Sequence, residues 1–454
     1  MKRREREKYL RTCKAFQARP LVAASVEGVE QAVVIPALAE RDSLFRTMAC
    51  IAQNPSGNLR RTLVICVVNN HRPPLAGDAA VLSNRETLSL LHPLVFRHPT
   101  YPDLPEEMRK DVQQISGSGL RLAFIDASSP GVEIPDRDGG VGTARKIGMD
   151  AALQIIDAQA ANGGVICCLD ADTLVEENYL SSVWTHFSRT GDPAAVTGYA
   201  HQKPDDPVLL AAICCYEIFL RSYVIGLSCA GSPYAFHSIG STMACTSEGY
   251  AAVRGMNRRQ AAEDFHFLNK LAKIGKIGVI TETTVFPSPR PSKRVPFGTG
   301  QRMIRFLTGG TDEYRLYDPR IFEILGRWLA SMEAAPDRDP ETILADSGRI
   351  HAHLEAYLRM SRFAADWLVI RQNSQDPGQL RRQFQVWFDG LKTLRLVHHL
   401  SRSAFPSVPM FDGMTGDIPL PGRPPCRVRS PGGVPDPEEQ FRIVTALRAD
   451  FPYS

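Results

Sequence analysis

The sequence predicts an α/β fold: a mostly parallel sheet with helices on both faces, followed by a helical C-terminal region. Three observations predict it. Short apolar runs alternate with helix-like segments from residue 31 to about 280. Parallel strands buried on both faces read as near-continuous apolar runs, and consecutive ones need a helical crossover. Polar residues gather just past those runs, at Glu40, Asn69, Asn70, Asp126, Asp170 and Asp172. Ligands in open α/β sheets bind beyond the carboxyl ends of the strands. After residue 300 the strand-like runs stop and helix-like segments take over.

The elements follow in order. Residues 1–19 hold eight Lys/Arg against two Glu, a local charge of about +6. They read as a solvated helical tail, with weak peripheral contact to anionic lipid headgroups as the alternative. QAVVIPALAE (31–40) is a strand ending at Pro36, and Asp42 or Ser43 caps a helix over 42–54. RTLVICVVNN (61–70) is a second buried strand, and helical segments around 84–91 and 104–115 follow between prolines. LRLAFIDAS (120–128) is the third strand, and a glycine-rich loop opens a helix over 142–160. Val165, Ile166, Cys167, Cys168 and Leu169, bounded by Gly163-Gly164, form a fourth strand too short for a core helix. A helix over 176–187 and a fifth strand over 194–202 complete this part.

Further on, IFEILGRWLASMEA (321–334) is a helix. Asp339-Pro340-Glu341 starts another that reaches about 372, because a capping Asp precedes Pro at the first helical position. A third helix spans 378–403, nine prolines make 406–437 an extended connection, and a last helix covers 437–450. The chain thus divides into a basic tail (1–30), an α/β domain (31–306) and a helical region (307–454).

Composition bounds the function classes. Of 454 residues, 43% are hydrophobic and 22% charged, as in a globular protein with a sizeable core. A net charge of +4 is too mild to point to a nucleic acid partner. No run of about 18 apolar residues occurs, so no transmembrane helix is expected, and no signal-like segment opens the sequence. Ten cysteines include no Cys-x-x-Cys, and Cys167-Cys168 and Cys214-Cys215 lie inside apolar stretches. A reduced, cytoplasmic protein is the expectation.

The chemistry centres on Asp170-Ala171-Asp172. Two carboxylates this close repel each other unless something positive joins them, and a divalent cation with oxygen ligands is one such partner. The alternative is that both aspartates only cap the turn into the next helix.

Four motifs in order resemble a known family. VVIPALAE is similar to its Pro-x-x-x-Glu strand end, GGVGTARKIGMDAAL to its glycine-rich turn and Ala-Arg-x-x-Gly helix start, LDADT to its Asp-x-Asp, and AEDFHFLNKLAKIGKI (262–277) to its Glu-Asp helix. These are the inverting nucleotide-sugar glycosyltransferases of the GT-A fold, which include cellulose- and chitin-type synthases. The resemblance covers roughly residues 31–306. It implies a GT-A-like domain that moves a sugar from a nucleoside-diphosphate sugar to a hydroxyl acceptor, assisted by Mn²⁺ or Mg²⁺. It implies Asp172 as the main metal ligand, with Asp170 shared between metal and ribose. Asp264 falls at the family's base position, with Glu263 beside it. Pro36, Glu40, Asn70, Arg145, Asp170, Arg290 and Arg294 fall where the donor binds, and Gly240 and Ser241 where the acceptor is held. Lys293, Arg302 and Arg305 add to the cations after the last strand, which suit a diphosphate. His201, His237 and His266 are candidates for a third metal ligand but read as structural. Two departures stand out. Gln301, Arg305 and Phe306 are one residue too long for the family's Gln-x-x-Arg-Trp and carry Phe for Trp, which speaks against a processive polymerase. Asn69-Asn70 stands where the family has an Asp-rich strand end, which leaves the nucleobase open.

Three other readings exist. Gly139-Gly140-Val141-Gly142-Thr143-Ala144-Arg145 resembles the phosphate loop of sugar nucleotidyltransferases, but follows the third strand and has an extra Ala before Arg145. A non-catalytic nucleotide-sugar or glycan-binding relative has no need of a base at Asp264. A peripheral membrane scaffold rests on the basic N-terminus alone.

Overall fold

A computed structural model describes all residues except 1, 13–18, 72–76, 99–102, 136–138, 157–162, 260, 295–297, 311, 335, 413–417, 421–422, 427–432 and 452–454. The chain forms two compact units, one of residues 1–203 and 238–301, the other of 204–237 and 302–454.

The first unit is built on a nine-stranded sheet. Its strands are β1 (Leu21–Ala23), β2 (Gln31–Ala37), β3 (Thr62–Asn69), β4 (Arg121–Ala127), β5 (Val165–Cys168), β6 (Leu174–Val175), β7 (Ala194–Tyr199), β8 (Met243–Thr246) and β9 (Ile277–Phe286), in the order β1-β4-β3-β2-β5-β8-β7-β9-β6. The neighbours β4-β3-β2-β5 and β7-β9 are parallel. The short strands β1, β6 and β8 pair antiparallel; two to four residues carry too little periodicity to be read from the sequence. β2 and β3 are buried along their whole length, as the apolar runs require. The order reverses at β2, with β3 on one side and β5 on the other, and such a switch point opens a crevice past the strand ends. β2 runs one residue beyond Pro36, whose missing N–H costs no bond on the β5 side because that pairing ends at Val34↔Cys168.

Helices of this unit are α1 (Lys2–Thr12), α2 (Arg41–Ala52), α3 (Ser56–Arg61), α4 (Asp78–Phe96), α5 (Glu106–Gly117), α6 (Val141–Ile155) and α7 (Tyr179–Arg189). α8 (Pro207–Cys229) belongs to the other unit, and α9 (Ser247–Ala252) and α10 (Glu263–Leu271) return to the first. The predicted α2 caps are corrected. Glu40 is the N-cap, while Asp42 and Ser43 lie inside the first turn. The 157–160 part of the helix expected over 142–160 lies outside the described residues.

α1 is docked rather than a solvated tail. Arg6 Nη2 donates to the carbonyls of Leu153 (2.8 Å) and Ile156 (2.5 Å), where α6 ends and its orphan carbonyls attract a cation. Tyr9 Oη donates to the fully buried Asp150 (2.7 Å), as does Tyr250 Oη (2.7 Å). Gly255 leaves the room: a Cβ there would lie 2.2 Å from Tyr9 Oη. Residues 13–18 of the basic segment lie outside the described residues.

The second unit is helical. It contains α11 (Thr299–Thr308) from Arg302 onward, α12 (Pro319–Ala334), α13 (Pro340–Ile350), α14 (Ala352–Met360), α15 (Phe363–Gln372), α16 (Pro377–Trp387), α17 (Gly390–Ser403) and α18 (Pro437–Asp450). The long helix expected over 340–372 is three, broken at His351 and at Arg362, whose φ is +58°. The helix expected over 378–403 is two, because Asp389 accepts from the N–H groups of Leu391 and Lys392 and caps a new start. Asp339 caps α13 as read, and Asp206, Asp376 and Asp436 cap α8, α16 and α18 before proline in the same way. Of the proline-rich segment, 413–417, 421–422 and 427–432 lie outside the described residues.

α8 corrects the sequence expectation about apolar segments. Among the described residues it is one helix long and apolar enough to cross a membrane. Glu217 and Arg221 interrupt its run of apolar letters, which hid it. Of its most apolar window, 61% is buried. Ile213, Ile218 and Ile225 pack with Phe411, Val444 and Leu447, while Leu227 joins Phe322 and Trp328. That packing explains why 204–237, read as part of the α/β domain, groups with the C-terminal helices.

Candidate active site

The site is built on the turn that follows β5. Three side-chain and backbone donors fix the backbone of the aspartate triplet. The carbonyl of Asp170 accepts from the N–H of Thr173 (3.1 Å), that of Ala171 from Thr47 Oγ1 (2.9 Å) and that of Asp172 from Gln202 Nε2 (3.0 Å). Sequence reasoning missed Thr47 and Gln202, because nothing local marks a residue that acts across more than a hundred positions or from the next strand.

Arg145, in the first turn of α6, is the centre of the arrangement. Its guanidinium is buried and donates through Nη2 to Asp170 Oδ1 and through Nη1 to Glu263 Oε1. One cation therefore joins the Asp-x-Asp turn to the Glu-Asp helix start. Burial works against the charge of Arg145, but Asp170 and Glu263 outweigh it and hold the guanidinium protonated. Both terminal nitrogens of Arg145 are taken by carboxylates.

Gly240 and Ser241, expected on the acceptor side, lie against the same guanidinium and carboxylate. Both are buried. A Cβ at Gly240 would lie 2.0 Å from Arg145 Nη2, so glycine is the residue that lets the guanidinium pass. Ser241 Oγ donates to Asp170 Oδ2 (2.6 Å) and lies 2.9 Å from Thr173 Oγ1. Gly142 serves packing too: a Cβ would lie 2.5 Å from the Arg259 carbonyl and 2.8 Å from that of Asn257. Gly142 is thus spent on a close backbone approach; residues 136–138 before the glycine loop lie outside the described residues.

Glu263 and Asp264 open α10 after Ala262, a non-glycine residue held at φ +57°. Left-handed backbone at such a residue costs roughly 1–2 kcal/mol and concentrates at functional sites. Asp264 is half-buried, and its Oδ1 accepts from the N–H of Phe265 (2.7 Å). Burial first, then the charge of Glu263, push the Asp264 carboxyl up to about 7 against the pull of Arg145. Burial likewise raises Glu263, and Arg145 opposes it.

A second cluster forms around Glu40. Arg290 Nη2 donates to Glu40 Oε1 (2.7 Å) and Oε2 (3.0 Å) and to Asp172 Oδ2 (3.1 Å). Arg294 Nη1 donates to Glu40 Oε1 and to the Leu38 carbonyl (3.0 Å). Burial, then the charges of Glu40 and Asp170, push the Asp172 carboxyl up to about 7, against Arg290 and Arg294. Arg302 and Arg305 are elsewhere: both pair with Glu313 in the helical unit.

The strand ends on the other side are occupied by structure. Pro36 is buried within β2. Asn70 is buried at the end of β3, where its N–H donates to the Ala127 carbonyl (3.1 Å). Asn84, which the sequence did not single out, ties two strand ends: it accepts from the N–H of Ala39 (2.9 Å) and donates to the Asn69 carbonyl (3.0 Å). Asp126 accepts from the N–H groups of Ser128 and Ser129 and closes a turn.

The donor set fits a divalent cation. Among the described residues, Glu40, Asp170, Asp172, Glu263 and Asp264 stand with Arg145, Arg290 and Arg294, an excess of two negative charges when all are ionised. Burial is the largest cause of the raised Asp172 carboxyl, and the charges of Glu40 and Asp170 add to it. Among the described residues no three His, Cys, Asp or Glu come together to hold a metal. A small hard cation such as Mg²⁺ usually takes only one or two carboxylates and completes its shell with water and phosphate oxygens. His201 and His266 instead pack edge-on against Tyr199 and Phe265, and His237 lies in the other unit.

No family model matches the chain, and no curated protein matches it. Solved structures do resemble it. TarS of S. aureus, residues 1–349, is 12% identical over 79% of this chain and 92% of its own, with a TM-score of 0.36. The same protein in complex with UDP-GlcNAc is 11% identical over 78% and 90%, with a TM-score of 0.37. The mannosyltransferase PcManGT from Pyrobaculum calidifontis, in complex with GDP-Man and Mn²⁺, is 14% identical over 83% and 96%, with a TM-score of 0.33.

Proposed function

We propose that this chain is a metal-dependent inverting glycosyltransferase, moving a sugar from a nucleoside-diphosphate sugar to a hydroxyl acceptor. One observation carries the reading: Arg145 ties Asp170 of the Asp-x-Asp turn to Glu263, next to Asp264. An electrostatic unit for a departing diphosphate and a carboxyl suited to general-base work thus share one buried cation.

Asp172, with Asp170, would hold Mn²⁺ or Mg²⁺, which supplies Lewis-acid neutralisation of the diphosphate charge when bound. Arg290 and Arg294 bind phosphate oxygens as charge-assisted donors. Asp264 takes the proton from the acceptor hydroxyl as its oxygen bonds to the anomeric carbon. The bond from that carbon to the phosphate oxygen breaks on the opposite face, and the diphosphate leaves with the electron pair. A carboxyl titrating near 7 is a stronger base than an ordinary one and still ionised at mildly alkaline pH, and such a base contributes about 10²–10⁴ in rate. Arg145 holds Glu263, and with it the start of α10, in register with the turn after β5.

A sugar nucleotidyltransferase is the second reading; against it stands Gly142, whose Cβ position is filled by the Asn257 and Arg259 carbonyls rather than left open to a phosphate. The test is calorimetric titration of nucleoside diphosphates and nucleotide sugars, with Mn²⁺ and with EDTA, on the wild type and Asp172→Ala. Binding that requires both metal and Asp172 is expected. Binding by neither protein, in either condition, overturns the reading.

A further inference from the structure

We propose that Glu40 is a positioning residue for an anion clamp: it pins Arg290 and Arg294 by one nitrogen each and leaves their other guanidinium N–H groups to bind the donor's diphosphate. This rests on the donor reading above but assigns Glu40 a task other than touching the donor.

Glu40 is buried, and both its oxygens are occupied. Oε1 accepts from Arg290 and Arg294, and Oε2 from Arg290 and from Ser43 Oγ (3.0 Å). The two arginine side chains are 39% and 32% exposed, so the guanidiniums reach solvent while their anchor does not. Only Nη2 of Arg290 and Nη1 of Arg294 are engaged. Nε and Nη1 of Arg290, and Nε and Nη2 of Arg294, have no partner among the described residues. A guanidinium carries five N–H donors in a fixed fork, so each keeps a donor edge for an oxyanion.

The anchor does two physical jobs. Two neighbouring guanidiniums repel, and the carboxylate they share offsets that repulsion. Pinning one nitrogen also removes side-chain freedom before a ligand arrives, which is how preorganisation raises affinity. There is a third consequence. Without Glu40, the remaining contact of Arg290 is Asp172 Oδ2, so the cation would settle on the carboxylate assigned to the metal.

Inorganic pyrophosphate in EDTA is the probe, because it reads the arginine donors with neither base nor metal. Calorimetry on the full chain should show binding by the wild type and about tenfold weaker binding by Glu40→Gln at an unchanged melting temperature. At saturating Mn²⁺, which competes with Arg290 for Asp172, donor KM should rise by a similar factor with kcat nearly unmoved, a split that a general loss of structure would not produce. Ser43→Ala, which only loosens Glu40, should weaken pyrophosphate roughly twofold to fivefold and carries the test if Glu40→Gln does not fold. Equal affinity in wild type and variant, or no pyrophosphate binding by the wild type, overturns the clamp. Either result leaves the donor reading standing if metal-dependent nucleotide binding is present, so the two fail separately.

Discussion

Replacing Arg145 with Met tests the centre of the site. The side chain of Glu263 is 4% exposed, so it would keep a buried charge without a counter-ion. Removing one partner of a buried pair costs about 3–5 kcal/mol. The Asp170 side chain is 35% exposed, and solvent screens that pair to about 0–1 kcal/mol. The expected loss is therefore about 4 kcal/mol when Glu263 is ionised. Glu263 can shed the charge by taking a proton. Burial already raises its pKa against the pull of Arg145, and without Arg145 it rises further. A carboxyl raised in the folded state gives its full stability below the unfolded pKa of about 4.3 and loses it as pH rises through the folded value. The slope is up to about 1.4 kcal/mol per pH unit. The deficit of Arg145→Met should thus be small at pH 5 and full at pH 8. Urea unfolding of both proteins at the two pH values, followed by far-UV circular dichroism, measures it. A deficit below about 1 kcal/mol at pH 8, or one equal at both pH values, would refute a buried bridging cation.

Asp264→Asn should lower transfer by about 10²–10⁴ while donor binding survives, and the wild-type rate should fall as pH drops through about 7, where the base takes its proton. A pH–rate profile and a binding isotherm check both. Asp172→Asn should abolish metal-dependent nucleotide binding yet raise the melting temperature in EDTA. The raised Asp172 carboxyl costs stability as pH climbs from about 4 towards 7, so the gain should be present at pH 8 and gone at pH 4. Gly240→Ala should displace the Arg145 guanidinium and cut turnover by about 10²-fold, since a 1 Å misplacement has that reach; steady-state kinetics decide it.

The parallel block of the sheet was legible because its strands are apolar runs bounded by polar ends, as VICCLDAD shows. The Asp-x-Asp and Glu-Asp pairs were legible as chemistry. What they touch was not. A sequence shows the charge of Arg145 but not the carboxylates that hold it. It shows the missing Cβ of Gly240 but not the guanidinium that fills the space. α8 escaped notice because Glu217 and Arg221 break its apolar run, although they satisfy each other inside the unit (2.9 Å). The breaks at His351 and Phe388 lie within good helical patterns, and at each a local side-chain cap starts the next helix: His351 Nδ1 accepts from the N–H of His353, and Asp389 from those of Leu391 and Lys392.

α8 also shapes how the protein is made. Glu217 on α8 is bound by Arg448 on α18 through two hydrogen bonds (2.7 and 2.8 Å), across 231 positions of sequence. At about 5–20 residues per second, a ribosome delivers the second partner roughly 10–50 s after the first. Throughout that interval the apolar stripe of α8 lacks Val444 and Leu447, and a buried carboxylate lacks one of its cations. The sheet of the first unit can close early, since β9 ends at Phe286. Nascent chains of this protein should therefore depend on a holding chaperone late in translation, with α8 as the segment it grips.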